Sequence, residues 1–253
     1  MILKFWVSLF FLTHKLVCLV FKSTQKYLRS SNSFRDIYRN LNILLCERLK
    51  SNKNSNEIYV VVRAMFSTHE RLKKKTPSGG IGRREFIEHL VEEFHTTTDI
   101  EAQEQVTANL SNFAYDPVNW KFLQEADAVE LFLQLLSVPN QRMQLHGVAG
   151  LCNICLGSSF GFISKPANIL NLAELFLKSE NVEIVLNCVT LFWQILNNCN
   201  SAQLKQLVAT PDILKRTLYW KQTSNDLRIK NISTVFFEDF GTRIETLDLT
   251  LPL

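Results

Sequence analysis

From Glu85 onward the apolar positions fall into a helical rhythm. Ile87, Leu90, Val91 and Phe94 stand at i, i+3, i+4 and i+7, and the spacing returns at Val129, Phe132, Leu133 and Leu136 and again at Ile169, Leu172, Ala173 and Phe176. Residues so spaced share one face of an α-helix, so each set predicts an amphipathic helix of about three turns. A longer apolar segment follows each set. These segments superimpose at a shift of 41 residues: Ala108-Asn109-Leu110-Ser111-Asn112-Phe113-Ala114, then Ala149-Gly150-Leu151-Cys152-Asn153-Ile154-Cys155, then Thr190-Leu191-Phe192-Trp193-Gln194-Ile195-Leu196.

Start signals divide the units. Thr98 with Glu101 reads as a capping box, and Asp116-Pro117 and Thr210-Pro211 each set a capping side chain before a proline at the first helical position. The helix after Pro117 carries Trp120 and Leu123 and ends near Glu125, giving units of a short, a medium and a long helix. Eight glycines and six prolines in 253 residues are few for a turn-rich all-β chain. The expected fold is all-α, with a repeat near the period of about 40 to 47 that marks HEAT and armadillo arrays.

Three helices per unit separate armadillo from two-helix HEAT arrays. The long segments carry an Ala-x-Leu-x-Asn-Leu-Ala/Ser-like pattern. ANLSNFAYDP (108–117), GVAGLCNIC (147–155) and VFFEDF (235–240) resemble the armadillo repeat family over about residues 82–240, in order and without large gaps, the first being distinctive of one branch. The resemblance implies a right-handed armadillo-type superhelix of about four three-helix repeats over residues 85–245, with a tail at 246–253. Its concave wall would be built from the third helices, each repeat burying its apolar face only against neighbours. The family's groove asparagines map to Asn112 and Asn153, followed by Gln194 and Glu238, with Asn109 one turn back on the same face; Asn112 and Asn153 read either as groove amides or as side chains that only bond neighbouring helix backbones. Ala108, Ala149 and Thr190 are small where nuclear-import receptors carry tryptophan, which argues against a nuclear-signal receptor. The branch further implies a nuclear component of the minor spliceosome. It acts with a protein carrying an RNA-recognition motif, RNA-binding motif protein 48, to hold the capped 5′ end of the catalytic small nuclear RNA, which the repeats contact only indirectly.

Charge divides the chain. Residues 1–84 hold 17 Lys/Arg against 4 Asp/Glu, and residues 85–253 hold 11 against 20, so an overall +4 conceals halves of +13 and −9. An acidic repeat region does not suit sequence-independent gripping of phosphates. Residues 5–21 are strongly apolar, but His14 and Lys15 split them and no small-residue cleavage site follows, so they make a poor membrane span or signal. Residues 1–64 keep no helix or strand period and read as a poorly ordered extension: either sequence upstream of a true start at Met65, or a weak hydrophobic anchor that would make the protein a membrane adaptor. The fold alone would allow a cytosolic peptide-binding adaptor. Residues 65–84 read as a basic flexible arm, whose Lys73, Lys74 and Lys75 are candidate import or RNA contacts. Ser78-Gly79-Gly80-Ile81-Gly82 lacks the strand and third glycine of a phosphate cradle and reads as a linker.

Catalytic chemistry finds no constellation here. Cys18, Cys46, Cys152, Cys155, Cys188 and Cys199 follow no disulfide framework, and Cys152-x-x-Cys155 shares columns with Ser111 and Ala114, which marks packing residues. His89, His95 and His146 read as exposed helix residues with no paired nucleophile. No cofactor, metal or small-molecule substrate is expected. Trp193 and Trp220 read either as interface anchors or, more commonly for repeat helices, as core.

Overall fold

The computed structural model describes residues 67–155, 160–198 and 201–240. Among these every regular element is helical: α1 His69–Lys75, α2 Arg83–Thr96, α3 Ile100–Ala114, a 3₁₀ turn Pro117–Asn119 running into α4 Trp120–Glu125, α5 Ala128–Leu135, α6 Gln141–Ile154, α7 Phe160–Ile163, α8 Pro166–Lys178, α9 Val182–Asn198, α10 Ala202–Val208, α11 Pro211–Thr223 and α12 Leu227–Phe240. The triplets α4–α6, α7–α9 and α10–α12 repeat the expected short, medium and long order, and α2 with α3 supplies the first repeat. The expectations for residues 1–64 and 246–253, and for Cys18, Cys46 and Cys199, lie outside the described residues. Among the described residues no helix is long and apolar enough to cross a membrane.

The stack is held through its long helices. α3 packs on α6, α6 on α9 and α9 on α12. Leu110, Leu151, Phe192 and Phe236, one from each long helix, are all 0% exposed. The first three keep the 41-residue shift, so sequence period has become a column of core side chains, each worth about 1.5–3 kcal/mol of burial. Within a repeat, α6 approaches α5 closely because Gly147 and Gly150 face it. A Cβ at Gly147 would lie 2.8 Å from the Phe132 carbonyl oxygen, and one at Gly150 2.6 Å from the Phe132 ring.

Each long helix begins at an Asx side chain. Asp99 accepts from the Glu101 N–H at 2.9 Å, Asn140 from Arg142 at 2.9 Å, Asn181 from Glu183 at 3.0 Å and Asp226 from Arg228 at 2.8 Å. The expected Thr98–Glu101 capping box is therefore corrected by one position: Asp99, a stronger acceptor beside the first turn, is the cap. The same region ties neighbouring repeats. Asn140 Nδ2 and Arg142 donate to the two carboxylate oxygens of Glu104 at 2.8 and 2.9 Å, Asn181 Nδ2 donates to Gln141 Oε1 at 3.2 Å, and the Arg228 guanidinium bridges Asp226 and Glu183. Asn140→Ala removes both a cap and a tie, and is expected to cost about 1–2 kcal/mol in chemical denaturation. A cost indistinguishable from zero would contradict this role.

The segment expected to be a flexible arm contains α1. Thr68 caps it by accepting from the Arg71 N–H at 3.2 Å, and Glu70 pairs with Lys74 at 2.8 Å. A helix of seven residues is marginal alone. Two contacts tie this segment to the repeats: the Ser67 N–H donates to Asp116 Oδ2 at 2.9 Å, and His69 meets Phe122 edge-on at 6.0 Å.

Candidate functional site

The long-helix column of amides begins open and closes along the stack. Asn109 and Asn112 are exposed on α3. Asn153 on α6 is half-buried, and its Nδ2 donates to the Ser111 carbonyl at 3.4 Å, which puts it on the helix packed beside Asn112. Gln194 is 7% exposed, because α9 is packed between α6 and α12, and its Oε1 has no hydrogen-bond partner. A buried acceptor left unpaired costs about 1–3 kcal/mol. The side chain of Glu238 lies outside the described residues. Ala108, Ala149 and Thr190, one turn before the amides, are half-buried. Lys73 and Lys74 are exposed on α1, and the Lys75 side chain is outside the described residues.

Trp193 and Trp220, 6% and 7% exposed, belong to the core rather than to a presented surface. The reading of His146 as an exposed helix residue is also corrected. α3 packs over it, its Nδ1 lies 3.0 Å from Thr107 Oγ1, and burial lowers its pKa against the opposing pull of Glu104. A histidine with a depressed folded pKa binds its proton more readily when unfolded, so stability is full above the ordinary value of 6.5 and falls as pH drops below it. Wild-type protein is expected to lose stability between about pH 6.5 and 5, and His146→Gln to flatten that step. An unchanged step in the variant would contradict the assignment.

The three described thiols behave as core atoms. Cys152, Cys155 and Cys188 are buried and free. Burial pushes Cys152 up to about 12 and raises Cys155 and Cys188 as well. With almost no thiolate at neutral pH, they are expected to resist iodoacetamide in the native state and to label only on unfolding, read by peptide mass mapping. Rapid native labelling at Cys152 would contradict the packing role.

One surface was not visible in the spacing of apolar residues. Ile81 and Phe86 are 46% and 38% exposed beside the half-buried Phe113, which stands off the buried stripe of α3. The only sequence signal was a phenylalanine immediately before the Ile87 stripe.

No protein-family model matches the chain. It is 34% identical over 160 residues to armadillo repeat-containing protein 7 of Mus musculus, an alignment that covers 63% of this chain and 79% of that protein. Among solved structures it is similar to crystal structures of two engineered proteins. One has 18% identity and a TM-score of 0.49 over 60% of this chain and 62% of that chain; the other has 19% identity and a TM-score of 0.44 over 65% and 73%. The chain thus spans just under two thirds of the first engineered protein.

Proposed function

This chain belongs to the family of armadillo repeat-containing protein 7, and on that premise we propose that it is a non-catalytic repeat scaffold whose long-helix wall holds a partner protein in splicing of minor-class introns. The observation that carries the reading is the amide column at its open end: Asn109 and Asn112 exposed to solvent and Asn153 half-buried beside them, with Gln194 enclosed further along. A carboxamide donates and accepts at once, so a row of them matches the alternating N–H and C=O groups of an extended segment. The partner is an RNA-binding protein with an RNA-recognition motif, RNA-binding motif protein 48 or its counterpart. It reads the small nuclear RNA in the nucleus while the acidic repeats supply shape.

The test is affinity purification of the tagged full chain with and without RNase. A stoichiometric partner bearing an RNA-recognition motif that survives RNase, with a minor-class small nuclear RNA lost on digestion, is the expected result. Recovery of membrane proteins in a carbonate-washed pellet, or of cytosolic peptides alone, would overturn the splicing role.

A further inference from the structure

The end of the stack at α1 and α2 carries a surface that the amide column does not use. A terminal repeat has no neighbour on its outer side, and soluble arrays close that side with polar residues. Here Leu72, Ile81, Phe86 and Phe113 line a groove of about 200 Å³ with Pro77 and Arg83. Ile81 and Phe86 remain 46% and 38% exposed within it. A second groove of about 320 Å³ shares Leu72 and Arg83 and reaches Lys73, Arg84 and Phe122. The apolar floor is rigid: Phe86 and Phe113 meet edge to face at 5.9 Å, and the Arg83 guanidinium lies 4.4 Å over the Phe113 ring.

The rim is cationic. Lys73, exposed on α1, and Arg83 and Arg84 at the start of α2 line it. Arg84 is engaged by Glu88 and Glu125, whereas Lys73 has no ion pair among the described residues. The repeats beyond are acidic overall, with 11 Lys/Arg against 20 Asp/Glu over residues 85–253.

We propose that this groove is a second docking site, taking a segment of a partner protein in which bulky apolar side chains are flanked by aspartate or glutamate. The apolar anchors fill the Leu72–Ile81–Phe86 floor, and the flanking carboxylates meet Lys73 beside Arg83 and Arg84, a division between a desolvated centre and a charged rim that is common to protein interfaces. A nucleic acid fits less well, because the Arg83 guanidinium already occupies one face of Phe113, and Leu72 and Ile81 in the floor offer no ring for a base to stack on. A second copy docking face to face would set one basic rim against another.

The test selects a phage-displayed library of random 12-residue peptides on the full chain. Fluorescence anisotropy then measures the chosen peptides against wild type, Ile81→Asp, Lys73→Glu and Asn153→Ala. Enrichment of apolar-plus-acidic sequences is expected. Binding should weaken at least about tenfold in Ile81→Asp and severalfold, with loss of salt dependence, in the charge-reversed variant. Ile81 is an exposed loop residue, so melting should be unchanged, and Asn153→Ala should bind normally. Absence of enrichment, selection of basic or uncharged peptides, or undiminished binding to Ile81→Asp would overturn the proposal. Loss confined to Asn153→Ala would overturn it while leaving the long-helix wall standing. Displacement of the peptide by a single-stranded RNA 20-mer, itself lost in the charge-reversed variant, would assign the surface to nucleic acid instead.

Discussion

Leu151→Ala is expected to destabilise the repeat domain by about 2–5 kcal/mol, the usual range when a fully buried leucine is cut to alanine and its cavity stays open. Leu151 is 0% exposed on α6, the helix that packs on α3, α5 and α9. Its column neighbours Leu110 and Phe192 are equally buried, so the surroundings have little freedom to collapse into the space. In a chain of this size the loss corresponds to a fall in melting temperature on the order of 5–15 °C. Because each repeat is stabilised only through its neighbours, hydrogen exchange should accelerate in α3 and α9 together with α6. A cost under about 1 kcal/mol, or acceleration confined to α6, would contradict the picture of one continuous core.

Gly150→Ala is the second large effect, and it reverses the ordinary rule for helices. Alanine normally improves a helix interior by about 1 kcal/mol over glycine. At Gly150 the added Cβ would fall 2.6, 2.7 and 2.8 Å from Cζ, Cε2 and Cε1 of Phe132, whose ring is 0% exposed and cannot swing away. The overpacking, about 1–3 kcal/mol, outweighs the gain in helix propensity, and the net change should be destabilising. Gly161 on α7 is the control: a Cβ there meets nothing within 4 Å, so Gly161→Ala should be neutral or stabilising. Phe132→Leu in the Gly150→Ala background should recover part of the loss, because the two sites share one contact. Equal behaviour of the two glycine variants in denaturant titration would contradict the close approach of α5 and α6.

The fold was largely legible in the sequence because its core is periodic. Ile87, Leu90 and Val91, then Val129, Phe132, Leu133 and Leu136, then Ile169, Leu172 and Phe176 are buried, and the 41-residue shift carries Leu110 onto Leu151 and Phe192. What escaped is set by contacts between elements. Thr98 and Asp99 are both capping residues, and only the helix register decides between them. His146 reads as a surface residue on an isolated α6, and becomes part of an interface once α3 lies over it. Gln194 continues a polar column by spacing, yet α6 and α12 enclose it. The charged run of α1 carries too little apolar periodicity to announce a helix, and the two contacts through Ser67 and His69 tie it to the repeats. Of the site, the column was visible and its degree of opening was not, since exposure depends on how many neighbours each long helix has.

On the proposed function, the open end of the long-helix amide column, Asn112 and Asn153, holds the partner and contributes little to the fold beyond the 3.4 Å bond from Asn153 to the Ser111 carbonyl. The sharpest test is the affinity of the co-purified partner for the Asn112→Ala, Asn153→Ala double variant, measured by titration calorimetry beside the wild-type chain. We predict at least a tenfold weaker complex, equivalent to about 1.4 kcal/mol, with the melting temperature of the free chain held within about 3 °C. Affinity equal to wild type, or a loss that merely follows an unfolded chain, would contradict it.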